Sequence, residues 1–468
     1  MNRSGKLAAA LAICVIAGAC SRSSSSKSST TAAPPTTAAA AGATTSTTAA
    51  NPCTGATLQA TDIGVTSTDI TVEVMADVGS ALAPGLFQGN IDAINAFATW
   101  VNANGGIACR QLKVKQWDSK IDPAETKNGL IDACTNAFTL LGDNSLFNSD
   151  VSPMTGCVDK SGQATGLPDI AGLVNTLAEQ CAPTAFVIQA RPEHCQATQG
   201  PRPETGFVGA NKWWLQQNPG MHGLYLVAGD LPETTASGAL AKALGTASGL
   251  TWDATPKVSG RDTQTAYTPR VQVAKAAGST FVLDGSNDTA MIRMRKEAVA
   301  QGLTTVKLWG CSIACYTDAF IPQGGADVEG TYLYLQFLPF EEASLNANDQ
   351  AFVTALGSKV TSWGAQAWQA GLAFKQAVDS IVAKSGPNAV TRAAVIAALK
   401  GITDFTAGGW MGPTPLQAGQ ASPCFMMMQV QGGKFVRVYP TKPGTFDCNA
   451  ANVATVTLDP AAEAATLK

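Results

Sequence analysis

Side chains able to hydrogen-bond a small molecule follow three apolar runs in the first part of the chain. They are Ser80 in the loop 78–84, Ser145 in the loop 142–148, and Asn175 with Thr176 after the run 169–174. Hydroxyl and amide groups are neutral donors and acceptors, which suit ligand binding rather than covalent chemistry. If the apolar runs are parallel strands, the three loops lie at one edge of a sheet, where ligands of open α/β sheets bind.

Groups that would carry out catalysis are scarce. His194 and His222 are the two histidines, both in segments typical of a surface, and we find no P-loop, G-x-G-x-x-G, H-E-x-x-H or G-x-S-x-G pattern. Without CxxC pairs or more histidines, a zinc site is not expected. We predict a binding protein that is not an enzyme, uses no cofactor and holds no metal. An extracytoplasmic enzyme of an unrecognised type is the alternative.

One stretch, residues 69–118, contains the elements that would position these loops. A β-branched run around Val72 precedes the loop 78–84, and a second alternating run around Val114 closes the stretch. Between them, apolar residues recur at steps of three and four, which places them on one helix face: Phe87, Ile91, Ile94, Phe97 and Val101. Gly105 and Gly106 end the helix. The order predicts a βαβ unit.

The rest of the chain repeats this alternation. Further strands are predicted near 137–141, 169–174, 224–227, 251, 280–283 and 306–309, and helices near 123–134, 236–244, 291–300, 365–381 and 391–399. Residues 190–203 show no periodic pattern, and a helix is expected to hold Phe207, Trp213 and Trp214. The two tryptophans suit a core, with a cleft wall as the alternative. Apolar runs on both sides of Gly432 and Gly433 predict a β-hairpin.

The stretch 69–118 resembles the start of the branched-chain amino-acid (Leu/Ile/Val-type) periplasmic solute-binding proteins of ABC importers. The resemblance rests on Asn102, Gly105, Gly106, Ile107, Asp118 and Asp122-Pro123-Ala124. Residues 262–271 and 328–340 resemble two later segments of that family. The implied fold is α/β, with two Rossmann-like lobes that have parallel-sheet cores and are joined by three crossovers, the type I periplasmic binding fold. Lobe one would comprise 61–188 and 338–423, lobe two 189–337 and 424–455, with a tail at 456–468.

The same resemblance implies a function. The chain would bind a small polar or amphipathic solute, an amino acid or related compound, in the cleft between the lobes and pass it to the permease of an ABC importer, acting as a monomer. Positions matching the family's ligand-binding residues are Ser145, Asn175 and Thr176 in lobe one and Thr235, Ser286, Asn287 and Ser312 in lobe two. A ligand-sensing receptor module with the same cleft is the alternative.

Two departures from the family pattern bear on the ligand. The family's G-x-x-S-S loop has here a single serine, Ser145, and the acidic residue that pairs with an α-ammonium is replaced by Cys311-Ser312. A buried ammonium without a carboxylate partner is costly. Unless Asp284 or Asp288 takes the place of that acidic residue, the ligand is not a free α-amino acid. Amides, ureas, short acids and aromatic acids are then the alternative ligand classes.

The N-terminus predicts export and a membrane anchor. Arg3 and Lys6 precede a short apolar run, 7–17, which is typical of a signal peptide. Residues 17–20 resemble a lipoprotein processing site at the end of a signal segment, 1–20. The residues before Cys20 would be removed, and Cys20 would become the lipidated first residue of the mature chain. Ordinary signal cleavage is the alternative. Residues 21–60, rich in Ser, Thr, Ala and Pro, are expected to form a disordered tether. With a net charge of −3, nothing suggests a nucleic-acid partner.

Ten of the 12 cysteines lie beyond the signal and Cys20. An even number in an exported chain predicts disulfides, although connectivity does not follow from sequence alone. We expect mainly local pairs: Cys134–Cys157, Cys181–Cys195, Cys311–Cys315 and Cys424–Cys448, with Cys53–Cys109 for the remaining two. A structural disulfide is favoured over a redox couple for Cys311 and Cys315.

Overall fold

The computed structural model describes residues 53–189, 195, 200–416 and 421–467. Its first βαβ unit matches the sequence pattern. β1 (Asp69–Ala76) and β2 (Gln111–Asp118) pair in parallel, with Val72 beside Val114. Between them, α1 (Gln88–Ala103) buries the predicted apolar face. Gly105 and Gly106 then turn the chain with positive φ angles of 98° and 78°, a conformation that glycine adopts without a steric cost.

Lobe one is the part of the chain around this unit. Its further elements are α2 (Pro123–Asn136), β3 (Thr139–Leu141), α3 (Ser152–Thr155), β4 (Asp169–Leu173), α4 (Leu177–Gln180) and β5 (Ala185–Gln189). All strands are parallel in the order β2-β1-β3-β4-β5. Because β2 and β3 flank β1 on opposite sides, the strand order reverses there, and such a switch point is where open sheets form ligand clefts.

Lobe two is built on a second sheet, in which the strands given below are ordered β12-β11-β10-β7-β8, with β9 also beside β7 and a C-terminal hairpin beside β12. Its first elements are β6 (Arg202–Phe207), α5 (Gly209–Gln217), β7 (His222–Ala228), α6 (Pro232–Ala247), β8 (Thr251–Ala254), β9 (Lys257–Val258), α7 (Thr268–Ala277), β10 (Phe281–Asp284), α8 (Asp288–Ala300), β11 (Leu308–Cys311), α9 (Phe320–Gly324) and β12 (Tyr332–Leu335). The strands from β7 to β12 run parallel, as the alternation of strands and helices predicts.

The chain then returns to lobe one. Here it forms α10 (Ala347–Leu356), α11 (Ser362–Ser385) and α12 (Arg392–Lys400). Helix α11 packs against α1, where Phe97 and Trp368 make an edge-on contact with ring centroids 5.3 Å apart. The final return to lobe two gives the hairpin β13 (Met426–Gln431) and β14 (Lys434–Tyr439). Three passages between the sheets confirm the predicted fold class.

One expectation about secondary structure was wrong. Phe207 ends strand β6 rather than lying in a helix, and β6 pairs antiparallel with β15 (Val453–Leu458), which α13 (Pro460–Ala464) follows. The inward-facing residues of β6 are Arg202, Glu204 and Gly206, and a buried ion pair between the first two replaces apolar side chains. No apolar alternation therefore marks this strand. The boundary expected after residue 455 falls inside β15.

The N-terminal end of the described chain is attached to lobe one. Residues 53–60, which composition assigns to the tether, lie against the loop after α11: Gln59 N donates to Asn388 Oδ1 at 3.0 Å, and Asn388 Nδ2 donates to Thr57 O at 2.9 Å. Cys53 is joined to Cys109. Residues 53–60 therefore do not belong to the expected tether, because this disulfide and the amide contacts hold them on lobe one. Cys20 and the signal lie outside the described residues.

All five expected disulfides are present. They are Cys53–Cys109, Cys134–Cys157, Cys181–Cys195, Cys311–Cys315 and Cys424–Cys448. Four of them join residues within one lobe, whereas Cys181–Cys195 joins lobe one to the connection between β5 and β6. In the part of the chain that the structure describes, no helix is long and apolar enough to cross a bilayer.

Candidate functional site

Two aspartates hold the loops at the carboxyl edge of the first sheet. Asp77, fully buried after β1, accepts hydrogen bonds from Ser119 Oγ and Ile121 N at 2.6 Å and from Leu146 N at 2.8 Å. Asp118, at the end of β2, accepts from the backbone N–H groups of Val78 and Gly79, each at 3.1 Å. These contacts connect the loops after β1, β2 and β3 into one rigid rim.

A cavity of about 300 Å³ lies between the lobes, and we call it the interlobe cavity. Lobe one contributes Asn175 after β4, Gln189 at the end of β5, and two glutamines of α11. Lobe two contributes Phe207 of β6, Leu240 of α6 and Tyr334 of β12. Carboxyl ends of lobe-one strands thus face elements of lobe two across a cleft, which is the usual form of a small-molecule site.

The glutamines of α11 are site residues that the sequence argument missed. Gln366 and Gln369 are 3% and 1% exposed, and both line the interlobe cavity. Gln366 Nε2 donates to Gln189 Oε1. Among the described residues, Gln366 Oε1 and Gln369 Nε2 have no hydrogen-bond partner. One acceptor and one donor are therefore left for a ligand. Two glutamines three residues apart on an otherwise Ala-rich buried helix were the available signal.

A second, smaller space of about 120 Å³, the aromatic pocket, lies in lobe two. Its lining includes Phe207, Trp214, Tyr225, Trp252, Tyr334, Asp284 and Ser312. Trp214 is 3% exposed and packs in the lobe-two core, so it serves both as core residue and as cavity wall. Trp213 instead packs against Tyr332, with centroids 5.7 Å apart.

Asp284 ends β10 with its side chain 3% exposed, and it lines the aromatic pocket. Its Oδ1 accepts from Ser286 N at 2.8 Å and Ser286 Oγ at 2.7 Å, whereas Oδ2 is buried without a partner among the described residues. Burial raises the pKa of Asp284 to about 7. Asp288, the other acidic candidate, accepts from Thr317 Oγ1 at 2.9 Å and is absent from the lining of the aromatic pocket.

Three of the sequence-predicted residues line these spaces. Asn175 borders the interlobe cavity and also a neighbouring volume of about 260 Å³, the side cavity, which Thr176 and Arg202 line as well. Ser312 borders the aromatic pocket. The structure thus brings Asn175, Thr176 and Ser312 to adjoining spaces, although they come from two lobes.

The other predicted residues use their side chains within the protein. Ser145 is fully buried, with its hydroxyl 3.0 Å from Thr126 Oγ1. The remaining contacts are Ser80 Oγ with Leu82 N, Thr235 Oγ1 with Leu231 O, Ser286 with Asp284, and Asn287 Oδ1 with Ala290 N. None of these five borders the interlobe cavity or the aromatic pocket. Their role in ligand contact stays a prediction.

One group of buried carboxylates has the proximity of a metal site. Oxygens of Asp143, Asp169 and Glu179 lie within 4.8 Å of one another. Burial raises the pKa of Asp143 to about 6, and burial together with the Asp143 charge raises the pKa of Asp169 well above its usual value. Burial therefore disfavours the charged form of both aspartates. Beside Asp284, Cys311 and Cys315 form a disulfide and offer no thiolate.

Comparison with known proteins identifies the family. A family model described as periplasmic binding protein matches residues 69–434. The chain belongs to this family. The match confirms the family-level resemblance to the branched-chain amino-acid binding proteins. Members of this family are extracytoplasmic binding proteins and not enzymes. Comparison with curated proteins gives no match.

Solved structures share the fold of this periplasmic binding protein. An ABC transporter substrate-binding protein from Aeropyrum pernix has a TM-score of 0.63 and 11% identity, over 85% of this chain and 99% of that one. The leucine-binding protein LivK from Thermotoga maritima has a TM-score of 0.59 and 12% identity, over 79% and 97%. A fatty acid ABC transporter substrate-binding protein from Thermomonospora curvata has a TM-score of 0.59 and 16% identity, over 82% and 97%.

Proposed function

We propose that this periplasmic binding protein is a solute-binding lipoprotein of an ABC importer. It captures a small polar or amphipathic solute, an amino acid or a related compound, between its lobes and delivers it to the importer's permease. The observation that carries this proposal is the interlobe cavity, of about 300 Å³, lined by the carboxyl ends of lobe-one strands and by lobe two.

Two further features support capture by closure of the lobes. Three chain passages join the sheets, and four of the five disulfides lie within one lobe. A ligand that contacts both lobes stabilises the closed arrangement, and a permease can recognise that arrangement. The ABC transporter binding proteins named above share the fold, which is consistent with such a partner.

A thermal-shift screen across amino acids, amides, amines and organic acids tests solute binding. A ligand present at about 100 times its Kd adds about 2.7 kcal/mol to the free energy of unfolding. Gln369→Leu removes a donor that lines the cavity and is expected to weaken binding roughly tenfold. Gln350→Leu, an exposed position on α10, is the matched control. Equal ligand affinity in the two variants would place the solute elsewhere.

The anchor is tested separately. Cys20→Ser removes the proposed lipid attachment and is expected to release the protein from the membrane fraction into the soluble one, with its fold unchanged. If the variant stays with the membrane, the lipoprotein assignment is wrong. An uptake assay with the identified solute, in cells with and without the protein, distinguishes delivery to an importer from sensing.

A further inference from the structure

The aromatic pocket and the interlobe cavity adjoin, since Phe207, Ala241, Leu244 and Tyr334 line both. The pocket measures about 120 Å³ and the cavity about 300 Å³. For comparison, a dry protein cavity of about 150 Å³ holds one benzene molecule. One compact head group therefore fits the aromatic pocket, while the remainder of a ligand lies in the interlobe cavity.

Asp284 is the one charged residue among the described residues that line these two spaces. Its Oδ2 is buried without a hydrogen-bond partner among the described residues, and no cationic side chain lines either space there. A buried carboxylate in that position is costly until a partner arrives. The ligand is the group that can supply the partner.

An anionic ligand finds no counter-charge in the same place. No Lys, Arg or His is among the described residues lining the aromatic pocket or the interlobe cavity. Arg202 lines the side cavity, where it pairs with Glu204. Ser145, which the family resemblance assigns to a ligand carboxylate, directs its hydroxyl to Thr126 instead. A carboxylate would therefore share the site with Asp284 and gain no cationic partner.

Aromatic rings around the pocket provide the complementary surface for a cation. Trp214, Tyr225 and Trp252 line it together with Phe207 and Tyr334, and ring faces attract ammonium groups by cation–π interaction. We propose that the solute is an organic cation without a carboxylate, an amine or quaternary ammonium compound, whose charged head lies in the aromatic pocket beside Asp284. This inference rests on the proposed solute-binding function. Gln366 and Gln369 bind a neutral polar part of the same molecule in the interlobe cavity.

Titration calorimetry on the mature protein with two matched sets of compounds tests the charge preference. One set is choline, its uncharged isostere dimethylbutanol, and glycine betaine, which adds a carboxylate. The other is phenethylamine, phenylethanol and phenylalanine. In at least one set the cation is expected to bind at least about tenfold more tightly than both relatives. The neutral compound leaves Asp284 unpaired, and the carboxylate of the third compound is repelled by Asp284.

Variants identify the pocket. Asp284→Asn is expected to lower affinity for the cation by roughly 30-fold or more, since one partner of a buried charge pair is lost. Asp288→Asn, next to the pocket but bonded to Thr317, is the control and keeps the affinity. Tyr334→Phe retains a ring face and keeps most of the affinity, whereas Tyr334→Leu loses it. Because Tyr334 is only half-buried, its variants are expected to fold, and they test the pocket if Asp284→Asn fails to fold.

The outcomes separate the two proposals. If the neutral or carboxylate member of each set binds as tightly as the cation, or if Asp284→Asn leaves cation affinity unchanged, the inference about charge is wrong while solute binding stands. If only amides or acids from the wider screen bind, the inference about charge is likewise wrong and solute binding stands. If no compound from any class binds, both the inference and the proposed function are overturned.

Discussion

Asp349 is expected to make this protein less stable as the pH rises. It lies in the first turn of α10, fully buried, and neither carboxylate oxygen has a hydrogen-bond partner among the described residues. Burial raises the pKa of Asp349 to about 8, with smaller contributions from the carboxylates of Glu341 and Glu342. Asp349→Asn replaces the carboxyl group with a neutral one of the same shape.

The sign and size of the effect follow from proton linkage. The unfolded chain releases the Asp349 proton near pH 4, whereas the folded protein keeps it until about pH 8. Between these values the folded state binds more protons, so stability falls as pH rises. At about 1.4 kcal/mol per pH unit, the carboxyl group costs of the order of 5 kcal/mol at pH 8.

Urea unfolding followed by tryptophan fluorescence measures this cost. The gain in unfolding free energy of Asp349→Asn over the natural protein is expected to grow by about 4 kcal/mol between about pH 5 and pH 8. Asp404→Asn, at an exposed position, is the control and shows no such growth. If the gain of Asp349→Asn is the same at both pH values, the folded protein does not hold this proton and the reasoning is wrong.

Three other variants test the core packing and the disulfide framework by the same unfolding assay. Gly223→Ala places a Cβ 1.9 Å from Phe281 O, between paired strands β7 and β10, and is expected to cost about 3 kcal/mol. Arg392→Met removes the guanidinium donor from four backbone carbonyl groups, two of them in buried hydrogen bonds, and is expected to cost about 3 kcal/mol or more. Replacing Cys53 and Cys109 by serine opens a 56-residue separation and is expected to cost about 4 kcal/mol.

Each of these has its own control or refuting result. Gly401→Ala, where a Cβ meets nothing closer than 3.3 Å, is expected to be tolerated, and equal costs at Gly401 and Gly223 would refute the steric argument. Arg261→Met removes an exposed guanidinium and serves as the control for Arg392. An unchanged urea midpoint in the double serine variant would show that contacts alone hold the N-terminal segment on lobe one.

Local apolar spacing was sufficient to predict the scaffold. The helix face from Phe87 to Val101 and the alternating strands beside it have short periods, so a few residues identify each element. Four of the disulfides join residues close in sequence, and the fifth follows once these are paired. The loops at the sheet edge were predictable for the same reason, since they follow directly from where the strands end.

The lining of the site depended on contacts that no local pattern records. Gln366 and Gln369 lie far along the chain from Asn175, and only the packing of α11 against β4 and β5 brings them to one cavity. Ser145 follows a strand as a ligand residue would, yet Thr126 on α2 takes its hydroxyl.

The sequence by itself predicted most of the strands and helices, the family and four local cysteine pairs, because these depend on short-range spacing and composition. Only the tertiary structure decided which polar groups face the cavities, because a side chain's partners are set by elements distant in the chain. β6 shows this most clearly. Its inward residues are Arg202 and Glu204, and its partner strand is about 250 residues away, as the contact between Thr205 and Thr455 records.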